Sequence, residues 1–362
     1  MILFYISGHG FGHMSRESAV IGALHKLSPE IKIGVKTSAP RWFAEESVPA
    51  GTMIDFCSID AGVVQADSLK MDIEETLKRY AKLIGDKEGI ITREVSWCRE
   101  NGVELIVADI VPFAFDIADK LRIPSVCIAN FSWDWIYEPY VLEYPPYKYV
   151  VDDIRKSEAK CTLCLKTPFA GDLSAFPRIA DIPLICRESQ LSRQEARRIA
   201  GLPDDKTIVL FSFGGFGLDD IEDAKPDIDS DTVVVVTQPD IEKEDWIYFP
   251  REELKRRGLK YQDLVRAADV VITKPGYGIV TECIANDTAM VYVKRDDFAE
   301  YPVLAEAVEK HLSSSQISLK GLLGGKWKEA IGRALDSAAE EIITELSGAE
   351  EAAAVIAGYC RD

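Results

Sequence analysis

The chain has no apolar run of the roughly 18–20 residues that a membrane-spanning helix needs. Positive charge is in deficit: 42 Lys and Arg stand against 60 Asp and Glu, a formal net charge of −18. That balance excludes a general nucleic-acid binder, which needs a basic face. It leaves room for a local basic pocket around one diphosphate, because steering depends on local charge. Eight cysteines are scattered without a disulfide-like framework, so reduced, buried thiols in a cytoplasmic protein are expected. The one close pair, Cys161-x-x-Cys164, lacks the second Cys or His pair of a zinc site. Histidine is scarce, with four in 362 residues. The N-terminal Met-Ile-Leu-Phe-Tyr-Ile-Ser has no basic lead and runs straight into glycines. It is expected to be a first β-strand rather than a signal peptide.

A hydrophobic content of 47% over this length suffices for two cores. Apolar runs alternate with helical stretches, which implies α/β units with parallel sheets covered by helices on both faces. Strands are expected at 2–6, 31–35, 53–58, 105–108, 125–129 and 161–165, with helices at 15–26, 73–100 and 113–120. The polar stretch 181–206 reads as a hinge, its charges at helical spacing over 187–200. A second sheet restarts at Thr207-Ile-Val-Leu-Phe-Ser-Phe-Gly-Gly-Phe-Gly217 and continues at 232–237, 270–273 and 290–293. Residues 327–362 read as largely helical. The expected domains are 1–185 and 186–340, followed by a terminal helix within 341–362.

Several stretches carry chemistry. In Ser7-Gly-His-Gly-Phe-Gly-His-Met-Ser-Arg16, alternate glycines let the chain turn at the sheet edge where open α/β sheets place ligands. The spacing is not G-x-G-x-x-G, and the second strand ends in Lys36-Thr-Ser without an acid for a ribose, which argues against a dinucleotide site. His9 and His13 are expected on a cleft-facing loop, and a neutral imidazole is the natural base for an alcohol proton; alternatively they cap the following helix. Arg16 suits an acidic acceptor or a donor phosphate, or is simply solvated. Asp109 ends an apolar strand at the same sheet edge, or caps the helix after Pro112. The rings of Trp133, Trp135 and Tyr137 suit stacking on a sugar or another acceptor, or plain packing. A polar loop, 60–72, could cover the same cleft.

The richest stretch is Lys274-Pro-Gly-Tyr-Gly-Ile-Val-Thr-Glu282, where a buried strand passes through a glycine turn into a helix. The first N–H groups of a helix lack partners and favour anions. Gly276 and Gly278 let a phosphate approach and permit positive φ. Lys274 adds a point charge, and Glu282 lies one turn in, where it could accept two hydrogen bonds from a ribose diol.

This stretch resembles the donor signature of nucleotide-sugar glycosyltransferases with the GT-B fold, which in the UDP-sugar branch runs His-Cys-Gly-Trp-Asn-Ser-x-x-Glu. Gly276 and Glu282 keep the spacing, Lys274 and Tyr277 stand for the histidine and tryptophan, and Gly278-Ile279 replace Asn-Ser. The flanking sequence is closer to the N-acetylglucosaminyltransferase of peptidoglycan synthesis. The first glycine stretch is also similar to the glycosyltransferase-like N-terminal part of plant arabinokinases.

The resemblance implies two Rossmann-like, doubly wound domains facing a cleft, with the last helix crossing back to the first. It makes His13 the base, oriented by Asp109, and puts donor contacts at Ser212, Gly214, Gly215, Tyr261, Leu264, Lys274, Gly276, Tyr277, Gly278, Thr281, Glu282, Glu300 and Tyr301. Acceptor contacts would come from His9, Arg16, Trp133, Trp135 and Tyr137. In the sugar-reading segment Glu300, Tyr301 and Leu304 replace Asp, Gln and Asn, which leaves the sugar open. The implied activity is inverting transfer from a UDP-sugar to a small-molecule, glycan or lipid-linked acceptor. No cofactor is expected, and no metal, because the Asp-x-Asp motif typical of the other transferase fold is read as absent. Peripheral membrane contact is compatible with this. A nucleotide-sugar 2-epimerase or a non-catalytic nucleotide-sugar-binding module on the same fold would look alike.

Overall fold

A computed structural model of the chain describes residues 1–65, 69, 71–214, 218, 221–238, 241, 243–294 and 298–360. It divides into two units, one made of 1–64, 71–185 and 345–362 and the other chiefly of 186–344. Each has its own parallel sheet.

In the first unit the strands are β1 (Ile2–Ile6), β2 (Ile33–Thr37), β3 (Met53–Phe56), β4 (Leu105–Asp109), β5 (Ser125–Ala129), β6 (Leu163–Lys166) and β7 (Ile179–Asp181). They lie in the order β3-β2-β1-β4-β5-β6-β7. β1, β2, β4 and β5 are buried along their whole length, as expected of strands covered on both faces. The covering helices are α1 (Gly12–Leu27), α2 (Arg41–Ser47), α3 (Ile73–Glu100), α4 (Pro112–Leu121), α5 (Trp133–Glu143) and α6 (Lys148–Glu158). α3 starts where the Asp72 side chain accepts from Glu75 N–H, with Glu74 and Glu75 in the first turn. Cap and acidic turn both satisfy the positive end of the helix.

The second unit has β8 (Thr207–Phe211), β9 (Thr232–Val236), β10 (Trp246–Tyr248), β11 (Val270–Thr273), β12 (Ala289–Val293) and β13 (Ser314–Ile317). Their order is β10-β9-β8-β11-β12-β13. Its helices are α7 (Arg193–Ala200), α8 (Arg251–Arg257), α9 (Tyr261–Ala267), α10 (Tyr277–Asn286), α11 (Glu300–His311), α12 (Leu319–Leu323) and α13 (Lys328–Asp336). The core centres on Phe211 stacked on Trp327, ring centroids 5.3 Å apart. In both sheets the first and fourth strands are neighbours and the connections leave them in opposite directions. That reversal opens a crevice at the C-terminal edge, where ligands of such sheets bind.

Three departures from the expected elements have a visible local cause. The second strand lies at 33–37 rather than 31–35, because Ile31 N–H closes a turn on Ser28 and pairing begins with Ile33 opposite Ile2. The hinge helix starts at Arg193, not 187, where Ser192 and Glu195 form a capping box. The stretch 327–362 is not one helical region: Ser337 leaves α13 to hydrogen-bond Ser314 N–H at 2.7 Å, and helix resumes only with α14 (Gly348–Gly358).

α14 belongs to the first unit. Its small face, Ala349, Ala352, Ala353 and Ala357 with Ile356, shares a core with Val20, Ile21 and Leu24 of α1. Cys127 and Cys164 are partners across β5 and β6, and burial raises the Cys161 thiol to about 12. All eight cysteines are free. Among the described residues no group of three or more His, Cys, Asp or Glu could hold a metal ion, and no helix is long and apolar enough to cross a membrane.

The entry into α14 is tight. Gly348 N–H donates to Leu184 O at 3.2 Å, and a Cβ at 348 would lie 2.1 Å from the Pro183 carbonyl oxygen. Gly348→Ala should therefore destabilise the first unit by about 1–3 kcal/mol, the usual penalty of overpacking. Chemical denaturation checks this, and an unmoved midpoint would mean that the contact yields freely.

Candidate functional site

The candidate site of the first unit forms where β1 and β4 meet. Asp109, the last residue of β4, sits in register with Ile6, the last of β1. The chain then runs through Ser7–Phe11 into α1, which begins at Gly12. His13 is thus in the first turn of a helix, not on the loop expected for it. Its Nδ1 lies 3.0 and 3.1 Å from the two Asp109 oxygens. A carboxylate there fixes the proton on Nδ1 and leaves Nε2 as the ring's basic nitrogen. The residue after Asp109, Ile110, has φ 49. A β-branched residue in this region is strained by roughly 1–3 kcal/mol, and such strain persists only where the surroundings hold it.

Arg16 fills the other side of Asp109. It donates Nη2 to Oδ1 of Asp109, Nη1 to Asn130 Oδ1 at 2.7 Å, and Nη2 to Ile128 O at 3.3 Å. Its side chain is 3% exposed, so the expectation that it binds an acceptor or a phosphate is corrected: it is spent on the aspartate. Burial works to raise the Asp109 carboxyl, but Arg16 and His13 outweigh it and hold it below the usual range. The neighbouring Glu17 is fully buried, its oxygens make no hydrogen bond, and Arg16 Nε is 3.6 Å away. Burial and then the charge of Asp109 push its carboxyl well up.

His9 lies beside His13, ring centroids 6.4 Å apart, and its Nδ1 accepts from Val63 N–H at 3.3 Å. Gly62 makes room for it, since a Cβ there would lie 3.0 Å from the ring and its φ is +57. The aromatic expectation is corrected in part. Trp133 and Tyr137 have no exposed surface; they stack on each other at 5.5 Å, and Tyr137 Oη donates to Gly62 O. Trp133 lies against both histidine rings and Tyr137 backs it, so neither offers a face to an acceptor. Trp135 is partly exposed and lies across Gly171, whose missing Cβ would sit 2.4 Å from the indole. Ser7, which donates its hydroxyl to Asp60, Asn130 and Glu17 were not candidates in the sequence. The signal available was position, since Ser7 and Asn130 each follow the last residue of a strand in this edge.

The candidate site of the second unit repeats the geometry at β8 and β11. Ser212 follows β8, its N–H bonds Ile272 O at 3.0 Å and its hydroxyl lies 2.7 Å from Tyr261 Oη on α9. Gly214 has φ +70 with open space where a Cβ would be, and Gln238 Nε2 donates to its carbonyl at 2.9 Å. Gly215 lies outside the described residues. Past β11 the chain passes the half-buried Lys274 and enters α10 with Gly276 as N-cap, φ −142. Neither Gly276 nor Gly278 has positive φ, so that part of the expectation is corrected. What the glycine supplies at 276 is room: a Cβ there would find nothing within 4 Å. The helix start is open to an incoming anion.

Deeper in, Tyr277 packs its ring in the interior, as does the Leu264 side chain. The Thr281 hydroxyl donates to Gly278 O at 3.1 Å, which spends it inside α10. Glu300 and Tyr301 open α11 and are buried; Gln316 Nε2 donates to Tyr301 Oη at 3.1 Å. Glu282 is buried and not open on both oxygens: Arg187 donates Nε to its Oε1 at 2.7 Å and Nη2 to the same atom. Burial raises the Glu282 carboxyl and Arg187 opposes it. The Asp-x-Asp spacing does occur, at Asp227-Ile-Asp229. Asp227 accepts from the N–H groups of Trp327 and Lys328, and Asp229 pairs with Lys328, so both are used at the start of α13.

The Arg16 contacts set a stability test. Arg16→Met would leave Asp109 a buried charge with one partner, and removing one member of such a pair costs about 3–5 kcal/mol. Urea denaturation at pH 7 reads the loss; a wild-type midpoint would show that Asp109 does not depend on the guanidinium.

No protein-family model matches the chain. Over 338 residues, 92% of its length, it is 30% identical to an L-arabinokinase of Arabidopsis thaliana, and it spans only 32% of that relative. Among solved structures, the calicheamicin glycosyltransferase CalG4 superposes with a TM-score of 0.65 at 17% identity, covering 99% of this chain and 98% of that one. UGT2 of Phytolacca americana, complexed with UDP-2-fluoro-glucose and pterostilbene, superposes with a TM-score of 0.60 at 13% identity, covering 99% of each. What these structures share with the chain is the fold: two doubly wound α/β units, the GT-B architecture.

Proposed function

We propose that the chain transfers a glycosyl group from a nucleoside diphosphate sugar, with UDP as carrier, to an acceptor hydroxyl, inverting the anomeric carbon. The observation that carries this is the buried His13–Asp109 pair, with Nδ1 committed to the carboxylate and Nε2 left as base. In the reaction Nε2 takes the acceptor's O–H proton as that oxygen bonds to the anomeric carbon. The bond from that carbon to the diphosphate breaks, and its electron pair leaves with the nucleotide. Asp109 stabilises the imidazolium without taking the proton. Arg16 keeps the aspartate charged for that task.

In this scheme the first unit activates the acceptor and the second grips the donor. The N–H groups at the start of α10, the open space at Gly276, the turn at Gly214 and the charge of Lys274 meet the phosphates. Preorganised donors aimed at growing charge are commonly the largest catalytic contribution. Glu282 and Tyr261 border the nucleoside side. UDP as carrier is supported by the UDP-sugar held by the Phytolacca structure of the same fold.

Two outcomes are expected. His13→Ala should leave nucleotide affinity intact and cut turnover by roughly 10²–10⁴-fold, measured with matched binding and rate assays; unchanged turnover would remove His13 from the chemistry. In a thermal-shift screen of nucleoside diphosphates, UDP should raise the melting temperature, because a ligand of the folded state stabilises by mass action. Lys274→Ala should shrink that rise, and an equal rise would put the diphosphate elsewhere.

A further inference from the structure

We infer that Arg187 is the positioning residue for ribose recognition: it holds Glu282 charged and aligned, occupies Oε1, and leaves Oε2 to accept from one ribose hydroxyl. This rests on the donor site proposed above. Arg187 lies 95 positions before Glu282 and outside the donor signature, so no motif points to it.

Glu282 faces a problem that its signature position does not solve. Its side chain is 4% exposed, and a carboxylate so placed, without a cation, takes up a proton or destabilises the fold. Arg187 supplies that cation through two nitrogens on one oxygen. Among the described residues Oε2 makes no hydrogen bond, so it is the oxygen left for a ligand. A carboxylate clasping both hydroxyls of the diol with its two oxygens, as the motif suggested, is replaced by a one-oxygen contact. Neutralising Glu282 also matters for the diphosphate, which would otherwise approach an uncompensated negative charge.

The segment carrying Arg187 is itself fixed to α10. Asn286 donates Nδ2 to Arg187 O at 3.1 Å and to Glu282 O at 2.8 Å. Ser189 N–H donates to Asn286 Oδ1 at 2.9 Å, and the Ser189 hydroxyl donates to Asp263 at 2.6 Å. The guanidinium therefore approaches Glu282 from a backbone that is already tied down, and little ordering remains when the ligand arrives.

The test compares UDP with 2′-deoxy-UDP and 3′-deoxy-UDP by calorimetry, at neutral pH, in two buffers of different ionisation enthalpy. Wild type should prefer UDP over one of the deoxy analogues by about 10–100-fold, the range for a hydrogen bond to a charged group, with no net proton exchange. Arg187→Met should lose most of that preference and release protons on binding UDP, because Glu282, without its cation, is protonated until a hydroxyl donates to it. Glu282→Gln should lose the preference without proton release. Adding Arg187→Met to it should change the preference no further.

If Arg187→Met fails to fold, Arg187→Lys serves: it keeps the charge but not the two-nitrogen grip, and should lose part of the preference with no proton release. Wild-type UDP affinity without any ribose preference, or a variant at 187 that keeps the wild-type preference and proton balance, overturns the inference and leaves the donor site standing. No UDP binding by wild type overturns both.

Discussion

A carboxylate stays charged in a dry interior only where cations and donors surround it. In the first unit Asp109 meets that condition through Arg16 on one side and His13 on the other. The consequences spread outward. Arg16 must be buried, so it ties α1 to the ends of β4 and β5 through Asp109, Ile128 and Asn130. His13 must sit in the first turn of α1 to reach the carboxylate, and its proton is then assigned. Ile110, the residue after Asp109, takes a strained positive φ. The site's chemistry and the packing of the sheet edge are one arrangement.

The second unit answers the same geometry with the opposite charge logic. Its edge gathers the open helix start behind Gly276, Lys274 and the turn at Gly214, all suited to an anion. The buried Glu282 is compensated by Arg187. In a chain with a net charge of −18, this edge carries Lys274 two residues before the N-cap of α10. Each unit's candidate site lies where its strand order reverses, because only there do two neighbouring strands deliver their connections to opposite faces.

Much of this was legible in the sequence. Continuous apolar runs marked the buried strands, and the glycines after β1, β8 and β11 marked the C-terminal edges of the two sheets. Asp109 could be singled out because it ends such a run, and His13 because it is one of four histidines and closes the glycine stretch after β1. Less local features escaped. That α1 begins at Gly12, and that Trp133 and Tyr137 turn inward, depends on neighbours supplied by distant segments such as Gly62. The start of the hinge helix and the break after α13 were misjudged because charge at helical spacing says nothing about where a side chain finds its partner. Ser192 and Ser337 decided those boundaries through contacts that periodicity does not encode.

What the sequence determined by itself is what short-range physics fixes: which stretches bury on both faces, where a strand gives way to glycine, and which few residue types could move a proton or hold a phosphate. The tertiary structure decided the partnerships. Arg16 looked free for a ligand and is committed to Asp109; Glu282 looked ready for a diol and has one oxygen already taken by Arg187. Such pairings are electrostatic contacts between residues nearly a hundred positions apart, and their energy depends on a burial that exists only once the chain has folded.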